Sequence, residues 1–203
     1  MLAQGLMSYR VLLIGGAAVP FLYFGSQIAA VLLNPGYDIA GQQPSDLGCC
    51  QANMPIVANL GFIATGIAAL MSGLGLFAGL RHLQANIVLA ALAGLGLSLF
   101  GVAMTMSGVF PLPNPLHYGF GLTLAGILTP LFGGLAFKDG GAARWIVLFG
   151  FVVSIVLVVL SLGIGGFASD ANIGIFVRAI SIVAFPTIAY LCWSVMQRTS
   201  PGN

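Results

Sequence analysis

The sequence predicts an all-α polytopic membrane protein, a bundle of six transmembrane helices with both termini in the cytoplasm. Three observations support this fold class. Apolar residues make up 59% of the 203-residue chain and charged residues only 5%, whereas an ordinary globular protein carries about 25% charged residues. Long apolar segments follow one another along the whole chain. Finally, the few basic residues gather at alternate connections between these segments.

The apolar segments are long enough to cross a membrane, because a spanning helix needs roughly 20 mostly apolar residues. In lipid, each segment must pair its own backbone polar groups, which favours helices. The short alternating segments of a transmembrane barrel are not found in the sequence. We therefore expect six spans, at residues 11–33, 54–80, 85–109, 117–137, 145–167 and 174–196. The first is too long for the apolar region of a cleaved signal peptide, so we expect it to remain as a span.

The basic residues predict the orientation, because Lys and Arg concentrate in cytoplasmic connections. Five of the six lie near the termini or at two of the five connections: Arg10, Arg81, Lys138, Arg144 and Arg198. The other three connections contain neither Lys nor Arg: residues 34–53, 110–116 and 168–173. We therefore expect both termini inside and the long loop 34–53 outside.

The connections at 81–84 and 138–143 are short, which makes neighbouring helices antiparallel and adjacent. We expect residues 1–203 to form a single six-helix transmembrane domain. The chain contains 29 glycines, and small residues allow membrane helices to approach closely. The Gly75-x-x-x-Gly79 pattern is typical of such contacts, either within a compact bundle or at a dimerisation face.

Composition and spacing exclude several kinds of chemistry. A net charge of +2 supplies no basic stripe for nucleic acid. The predicted topology places His82 and His117 at opposite membrane faces, and separates Cys192 from Cys49 and Cys50 in the same way. We therefore expect neither a metal site nor a cofactor. The adjacent Cys49 and Cys50 are interpreted as inert thiols, with a strained or intermolecular disulfide and a redox role as alternatives.

Polar side chains gather at the predicted outer face. They are Asp38, Ser45, Asp46, Asn59, His117, Asp170 and Arg178. Arg178 is the basic residue that departs from the positive-inside pattern, and an ionisable residue within a span is a functional hypothesis by default. We expect its guanidinium within about 4 Å of Asp46 or Asp170. The alternative is an Arg that extends to the membrane surface and is satisfied by one Asp and water.

Two groups of motifs carry a family resemblance. The first is Asn34-Pro35-Gly36-Tyr37-Asp38, then Ser45-Asp46-Leu47-Gly48, then Asn59-x-Gly61-Phe62; the second is Gly108-Val109-Phe110-Pro111 followed by His117. Over residues 10–197 the chain resembles the prokaryotic membrane family called domain of unknown function 998. In that family an acidic residue often follows the Phe-Pro pair, whereas Leu112-Pro113-Asn114 stands here. The resemblance implies a multi-pass protein of the prokaryotic cell membrane, the inner or plasma membrane, without an established activity.

Our leading functional hypothesis is a binding protein. Loop 34–53 would fold over the outer ends of helices two, four and six and close a polar pocket for a lipid headgroup or small anion. Arginine suits this role because its planar fork matches phosphate or carboxylate. The candidate ligand-binding residues are Asp46, His117, Arg178, Asp170, Asn59 and Asp38. Membrane lipids are the expected partners, and no nucleic acid is.

Two alternatives belong to other classes. An intramembrane hydrolase or transferase would use Ser45 as nucleophile, His117 as base and Asp46 to orient it. An accessory subunit would pack through its glycine-rich faces onto other membrane protein subunits. A third interpretation concerns His117 alone, which would only cap its loop by a hydrogen bond to a backbone carbonyl. We favour binding over catalysis.

Overall fold

The structure is a computed structural model that describes residues 2–200, with side chains from residue 9 onward. Its six α-helices are α1 (Leu2–Leu32), α2 (Pro55–His82), α3 (Ile87–Val109), α4 (Thr123–Ala136), α5 (Ala142–Ser161) and α6 (Ile173–Arg198). The described residues contain no strand, and six helical segments are long and apolar enough to cross a membrane. The all-α six-helix prediction is therefore confirmed. Residues 1 and 201–203 of the expected domain lie outside the described residues.

The fourth candidate span, Pro115–Ala136, agrees closely with the predicted one, but its first residues do not form a regular α-helix. A 3-10 helix occupies Pro115–Gly121, and the α-helix begins only at Thr123. Gly119 and Phe120 interrupt the segment with φ angles of 52° and 54°. These left-handed angles break the helical path, so His117 lies in a compact turn above α4.

The predicted fifth span, 145–167, also ends too late. The helix α5 ends at Ser161, and Gly163, Gly165 and Gly166 then adopt φ angles of 76°, 74° and 75°. Glycine at a left-handed position is a common way to end a helix. The apolar residues that follow Ser161 in the sequence therefore belong to a turn, although their hydropathy resembles that of the helix.

The helices pack in chain order, each against the next, and α6 returns against α1 to close the bundle. The bundle end opposite the two termini is called the distal end below. At the other end, the Arg10 guanidinium donates to the Ser200 hydroxyl at 3.0 Å, and Arg198 forms an ion pair with Asp139. The first and last helices are thus joined at the terminal end. Which side of the membrane this end faces stays a prediction.

Glycines bring α2 and α3 into backbone contact. A Cβ atom at Gly73 would lie 2.4 Å from the Gly94 carbonyl oxygen, and one at Gly101 would lie 2.3 Å from the Leu70 nitrogen. The pair singled out in the sequence, Gly75 and Gly79, packs inside the chain against α1 and α6. These contacts support the compact-bundle interpretation of the glycines.

An aromatic cluster lies below the distal end, where α1, α2, α3 and α6 meet. The rings of Tyr23 and Phe185 are edge to face, with centroids 4.7 Å apart. Phe62 packs on Tyr23 at 5.9 Å and Phe100 on Phe185 at 5.3 Å. Such pairs add to the stability gained from buried area. The cluster supplies a rigid wall beneath the polar loops.

Candidate functional site

The long loop folds locally through its two acidic side chains. The Asp46 carboxylate accepts the Gln43 backbone N–H at 2.7 Å, at the start of a 3-10 helix that spans Pro44–Gly48. The Asp38 carboxylate accepts the Ala40 N–H at 2.9 Å. Both are local turn and capping interactions that short acidic side chains commonly make. Asp38 and Asp46 therefore shape the loop that carries them.

Asn59 fastens this loop to α2. Its side-chain amide donates to the Gly48 carbonyl oxygen at 3.0 Å, and the side chain is buried. A Cβ atom at Gly48 would lie only 2.1 Å from the Asn59 amide oxygen. Gly48, the last residue of the Ser-Asp-Leu-Gly motif, and Asn59 thus contact each other directly. Asn59 acts as a positioning residue for the loop.

Arg178 fastens the same loop to α6. Its Nη1 donates to the carbonyl oxygens of Ile39 and Gln42, both at 2.8 Å, and to Gly174 of its own helix at 3.0 Å. The glycine permits this approach, because a Cβ atom at position 174 would lie 2.3 Å from the Gln42 carbonyl oxygen. The loop is therefore docked on the first turns of α6 through its backbone.

The predicted ion pair of Arg178 with Asp46 or Asp170 is wrong. Among the side chains of residues 9–200, the ion pair within 4.0 Å is that of Arg198 with Asp139. Asp46 is engaged with its own 3-10 helix, and Asp170 is exposed. Loop carbonyl oxygens take the place of a carboxylate, so Arg178 is well bonded but keeps a positive charge without an acidic partner in the described structure.

Tyr37 completes the Arg178 contact and was not singled out from the sequence. Its hydroxyl accepts from Arg178 Nη2 and donates to the Gln43 carbonyl oxygen at 2.6 Å, and the guanidinium lies 5.3 Å from the ring centroid. Burial raises the pKa of Tyr37, although the hydrogen bond from Arg178 opposes the rise. The phenol therefore stays protonated and can donate and accept together. The Asn34-Pro35-Gly36-Tyr37-Asp38 motif was the sequence feature that could have pointed to Tyr37.

His117 is held at the end of α3. Its Nδ1 lies 3.1 Å from the Phe110 carbonyl oxygen; since a carbonyl can only accept, we assign the proton to Nδ1. The Ser107 hydroxyl donates to the His117 carbonyl oxygen at 2.7 Å. The capping interpretation of His117 agrees with this geometry. Nε2 is the ring nitrogen that remains to meet a ligand.

A cavity of about 560 Å³ extends from the distal end down between α3, α4, α5 and α6. Its distal rim contains the polar side chains of Gln43, Ser45 and His117. Its deeper walls are mostly apolar and include Phe100 and Ile188, with the Ser181 hydroxyl as an exception. Below, it is called the large cavity.

The polar residues expected in one pocket are distributed over three. His117 lines the large cavity, Arg178 lines a separate groove of about 270 Å³ between α1 and α6, and Asp46 lines a small cleft of about 220 Å³. Tyr23 and Pro44 line both the large cavity and the groove, so they form the wall between them. The expected common pocket of Asp46, His117 and Arg178 is therefore not formed.

The loop also covers different helices from those expected. Its 3-10 helix packs on α1, α2 and α6, whereas we expected helices two, four and six. On the side toward α4, the Cys49 thiol donates to the Leu112 carbonyl oxygen at 3.4 Å, in the connection that precedes α4. The Pro115–Gly121 turn, rather than loop 34–53, lies over the distal end of α4. His117 and Tyr118 of this turn line the large cavity.

The catalytic alternative receives partial geometric support. Ser45 and His117 line the same cavity, but among the described residues no hydrogen bond joins them: the ring is bonded to Phe110. Asp46, the proposed orienting group, lies in the separate cleft. The three side chains do not form a nucleophile–base–acid arrangement in this structure.

Cys49 and Cys50 are free thiols with their sulfur atoms 3.3 Å apart. The hydrogen bond with Cys49 raises the pKa of the Cys50 thiol. A raised pKa lowers the thiolate fraction, which is the reactive form. This arrangement agrees with the interpretation of the pair as inert thiols.

A family model described as "Protein of unknown function (DUF998)" matches residues 17–194 of the chain. No curated protein and no solved structure matches it.

Proposed function

Because the chain belongs to the DUF998 family, whose function is unknown, we propose a function from the site alone: the protein binds a membrane lipid at its distal end. An acyl chain occupies the large cavity and the polar end of the lipid meets the rim. The family match confirms the resemblance expected from the loop motifs and supports a multi-pass membrane protein. It does not specify the ligand, so the proposal depends on geometry.

The observation that carries the proposal is the change of polarity along the large cavity. Gln43, Ser45 and His117 line its distal rim, whereas Phe100 and Ile188 line its deeper part. Its volume of about 560 Å³ lies within the 300–1,000 Å³ typical of small-molecule sites. A polar entrance above an apolar interior matches an amphiphile that enters with its chain pointing toward the membrane centre.

The cavity also opens toward the bilayer. Leu124 of α4 and Leu162, just after α5, line it and are 57% and 70% exposed. In a membrane, such exposed leucines face lipid tails. A lipid could therefore enter sideways from the bilayer, without its chain crossing water.

The rim, rather than the apolar walls, should decide affinity. Lipid tails are as apolar as the cavity interior, so moving a chain from bilayer to protein gains little hydrophobic free energy. The Ser45 hydroxyl, the Gln43 amide and the remaining His117 nitrogen can exchange hydrogen bonds with a polar headgroup. The Ser45 hydroxyl and the Gln43 amide can donate to phosphate oxygens, whereas His117 Nε2, in the tautomer with the proton on Nδ1, can accept from a headgroup hydroxyl.

The test uses two valines on the same helix. Val158 lines the large cavity, and Val156 is 51% exposed on the lipid face. We expect Val158→Trp to fill the cavity and Val156→Trp to leave it open. Lipids retained through purification are measured by mass spectrometry after extraction. Loss of one retained lipid per chain in Val158→Trp alone supports the proposal; equal retention in both variants and the wild type overturns it.

The shared cavity of Ser45 and His117 keeps an intramembrane hydrolase or transferase as a second candidate. Its test compares Ser45→Ala and His117→Gln for lipid retention and for turnover of phospholipids supplied in vesicles. We expect weaker retention in His117→Gln and no turnover in the wild type. Turnover that vanishes in Ser45→Ala, with retention intact, supports the enzyme instead.

A further inference from the structure

The groove between α1 and α6 contains two polar groups in an apolar setting. It is lined by Gln27 and Ile28 of α1, by Arg178 and Ile182 of α6, and by Ile39 of the loop. Its volume of about 270 Å³ is half that of the large cavity, and Tyr23 and Pro44 separate the two. The α1–α6 groove is thus a second compartment, independent of the lipid site proposed above.

Gln27 has an unusual environment for a primary amide. Its side chain is only 8% exposed, and neither its amide nitrogen nor its amide oxygen has a hydrogen-bond partner among the described residues. Leaving a buried polar group unpaired costs about 1–3 kcal/mol. Most buried polar side chains avoid that cost by finding a partner. An amide of this kind beside a groove points to a partner that binds there.

Arg178 lines the same groove and has a hydrogen-bond donor that is not used within the described part of the protein. Its bonds to the loop and to Tyr37 use Nη1 and Nη2, which leaves Nε–H uncommitted among the described residues. No carboxylate of the described side chains lies within 4.0 Å of it. Because a partly buried cation is stabilised by an opposite charge, the groove favours an anionic ligand.

The two residues occupy similar positions along their helices. Gln27 lies five residues before the end of α1 at Leu32, and Arg178 lies five residues after the start of α6 at Ile173. At 1.5 Å per residue, each Cα atom is about 7.5 Å inside the distal end of its helix. The Arg178 guanidinium reaches back from there to the Gly174 carbonyl oxygen and the loop. Both side chains line the same groove, so a ligand in the groove can meet both.

We propose that the α1–α6 groove binds a long-chain carboxylic acid, with the carboxyl group between Gln27 and Arg178 and the chain along the apolar walls. The Gln27 amide is buried in the structure, so in the proposed complex the side chain turns to face the groove that the residue lines. The ionised carboxylate accepts N–H bonds from Arg178 and Gln27. The protonated acid also satisfies Gln27, because its O–H donates to the amide oxygen while the amide N–H donates to the acid carbonyl.

The small size and apolar walls of the groove favour a carboxyl group over a phosphodiester headgroup. The groove is narrow, and apart from Gln27 and Arg178 its walls are almost wholly apolar. A phosphodiester has no protonated form near neutral pH, so it cannot donate to the Gln27 amide oxygen as the protonated carboxylic acid does. A bulky hydrated headgroup also fits poorly between the apolar walls of the groove.

The test leaves Arg178 unchanged, because it anchors the loop. All variants carry Val158→Trp, which closes the large cavity to a competing chain. Gln27→Leu removes the amide, and Ile182→Trp fills the groove. Ile175→Trp is the matched control on the same helix, since Ile175 is 53% exposed and Ile182 59%. Binding of palmitate, methyl palmitate and phosphatidylglycerol to the full chain in detergent is measured by native mass spectrometry.

We expect one palmitate per chain in the Val158→Trp protein and in its Ile175→Trp control. Binding should fall about tenfold in Gln27→Leu, the loss of one good hydrogen bond, and should disappear in Ile182→Trp. Gln27→Leu should melt no lower than its parent, because it removes an unpaired amide. Methyl palmitate and phosphatidylglycerol should bind at least tenfold more weakly. Equal palmitate binding in all variants, or equal binding of the methyl ester, overturns the proposal.

Discussion

The Arg178 guanidinium donates a hydrogen bond to the Gln42 carbonyl oxygen at 2.8 Å, across 136 positions of the chain. Gln42 directly precedes Gln43, Pro44 and Ser45, which line the large cavity. The contact therefore joins the loop at the rim of the proposed lipid site to α6. Arg178 influences the large cavity through the loop, although it does not line that cavity.

The first prediction tests this anchor. Arg178→Lys removes the planar fork that holds several acceptors at once, so we expect a loss of about 1–2 kcal/mol in the free energy of unfolding. Tyr37→Phe removes the hydroxyl that accepts from the same guanidinium. Because the two side chains share one contact, the double variant should lose less than the sum of the single losses. Additive losses, measured by unfolding in mixed micelles, contradict the shared contact.

The second prediction concerns the glycine beneath the loop. Gly174→Ala places a Cβ atom 2.3 Å from the Gln42 carbonyl oxygen, so the loop must shift and the thermal midpoint should fall. Gly25→Ala in α1 is the control, since no atom lies within 4 Å of its Cβ position. Alanine there should stabilise the helix by up to about 1 kcal/mol. A Gly174→Ala protein as stable as the wild type would show that the loop is not packed on α6.

A third prediction tests the contact between the loop motif and α2. Gly48→Ala should destabilise strongly, because its Cβ atom would lie 2.1 Å from the Asn59 amide oxygen. Asn59→Ala alone should cost about 1 kcal/mol for the lost hydrogen bond. In the double variant the clash disappears, so stability should return to about that of Asn59→Ala. A double variant as unstable as Gly48→Ala would show that the two residues are not in contact.

The fourth prediction is the orientation. In a chain whose native cysteines Cys49, Cys50 and Cys192 are replaced by serine, a membrane-impermeant maleimide added outside should label Gln51→Cys and miss Gln84→Cys. Both positions are exposed and lie at opposite ends of the bundle. Labelling after membrane permeabilisation provides the positive control for Gln84→Cys. The reverse labelling pattern would show that the protein has the opposite orientation.

The six helices could be predicted because apolar segments of this length must be helical in a membrane. The errors lie at helix ends, where the backbone conformation of a few residues determines where the helix begins or stops. Ser161 ends α5 since the glycines that follow adopt left-handed angles, which hydropathy does not reveal. His117 lies in a 3-10 turn for a similar reason: Gly119 and Phe120 interrupt the segment. Both errors displaced helix ends by a few residues at the distal face and left the six-helix bundle unchanged.

The site was harder to predict because charged side chains can bond to backbone groups, or cap their own turn, instead of pairing with an opposite charge. Arg178 was expected to meet a carboxylate, yet loop carbonyl oxygens reach it and Asp46 caps its own turn. Sequence offers no sign of which carbonyl groups a loop will present. Gln27 was missed because it is one uncharged residue in an apolar helix, and only its burial without a partner makes it conspicuous.

The most direct test of lipid binding is photocrosslinking in the membrane. The protein is reconstituted into vesicles that contain phosphatidylethanolamine with a diazirine near the end of one acyl chain. The vesicles are irradiated, and the lipid adducts on the protein are mapped by mass spectrometry. We predict adducts at Phe100 and Ile127, which line the large cavity and are buried at 2% and 8% exposure. Phe149 is 71% exposed and should be labelled by bulk lipid in any case. Labelling at Phe149 with none at Phe100 or Ile127 would contradict the account.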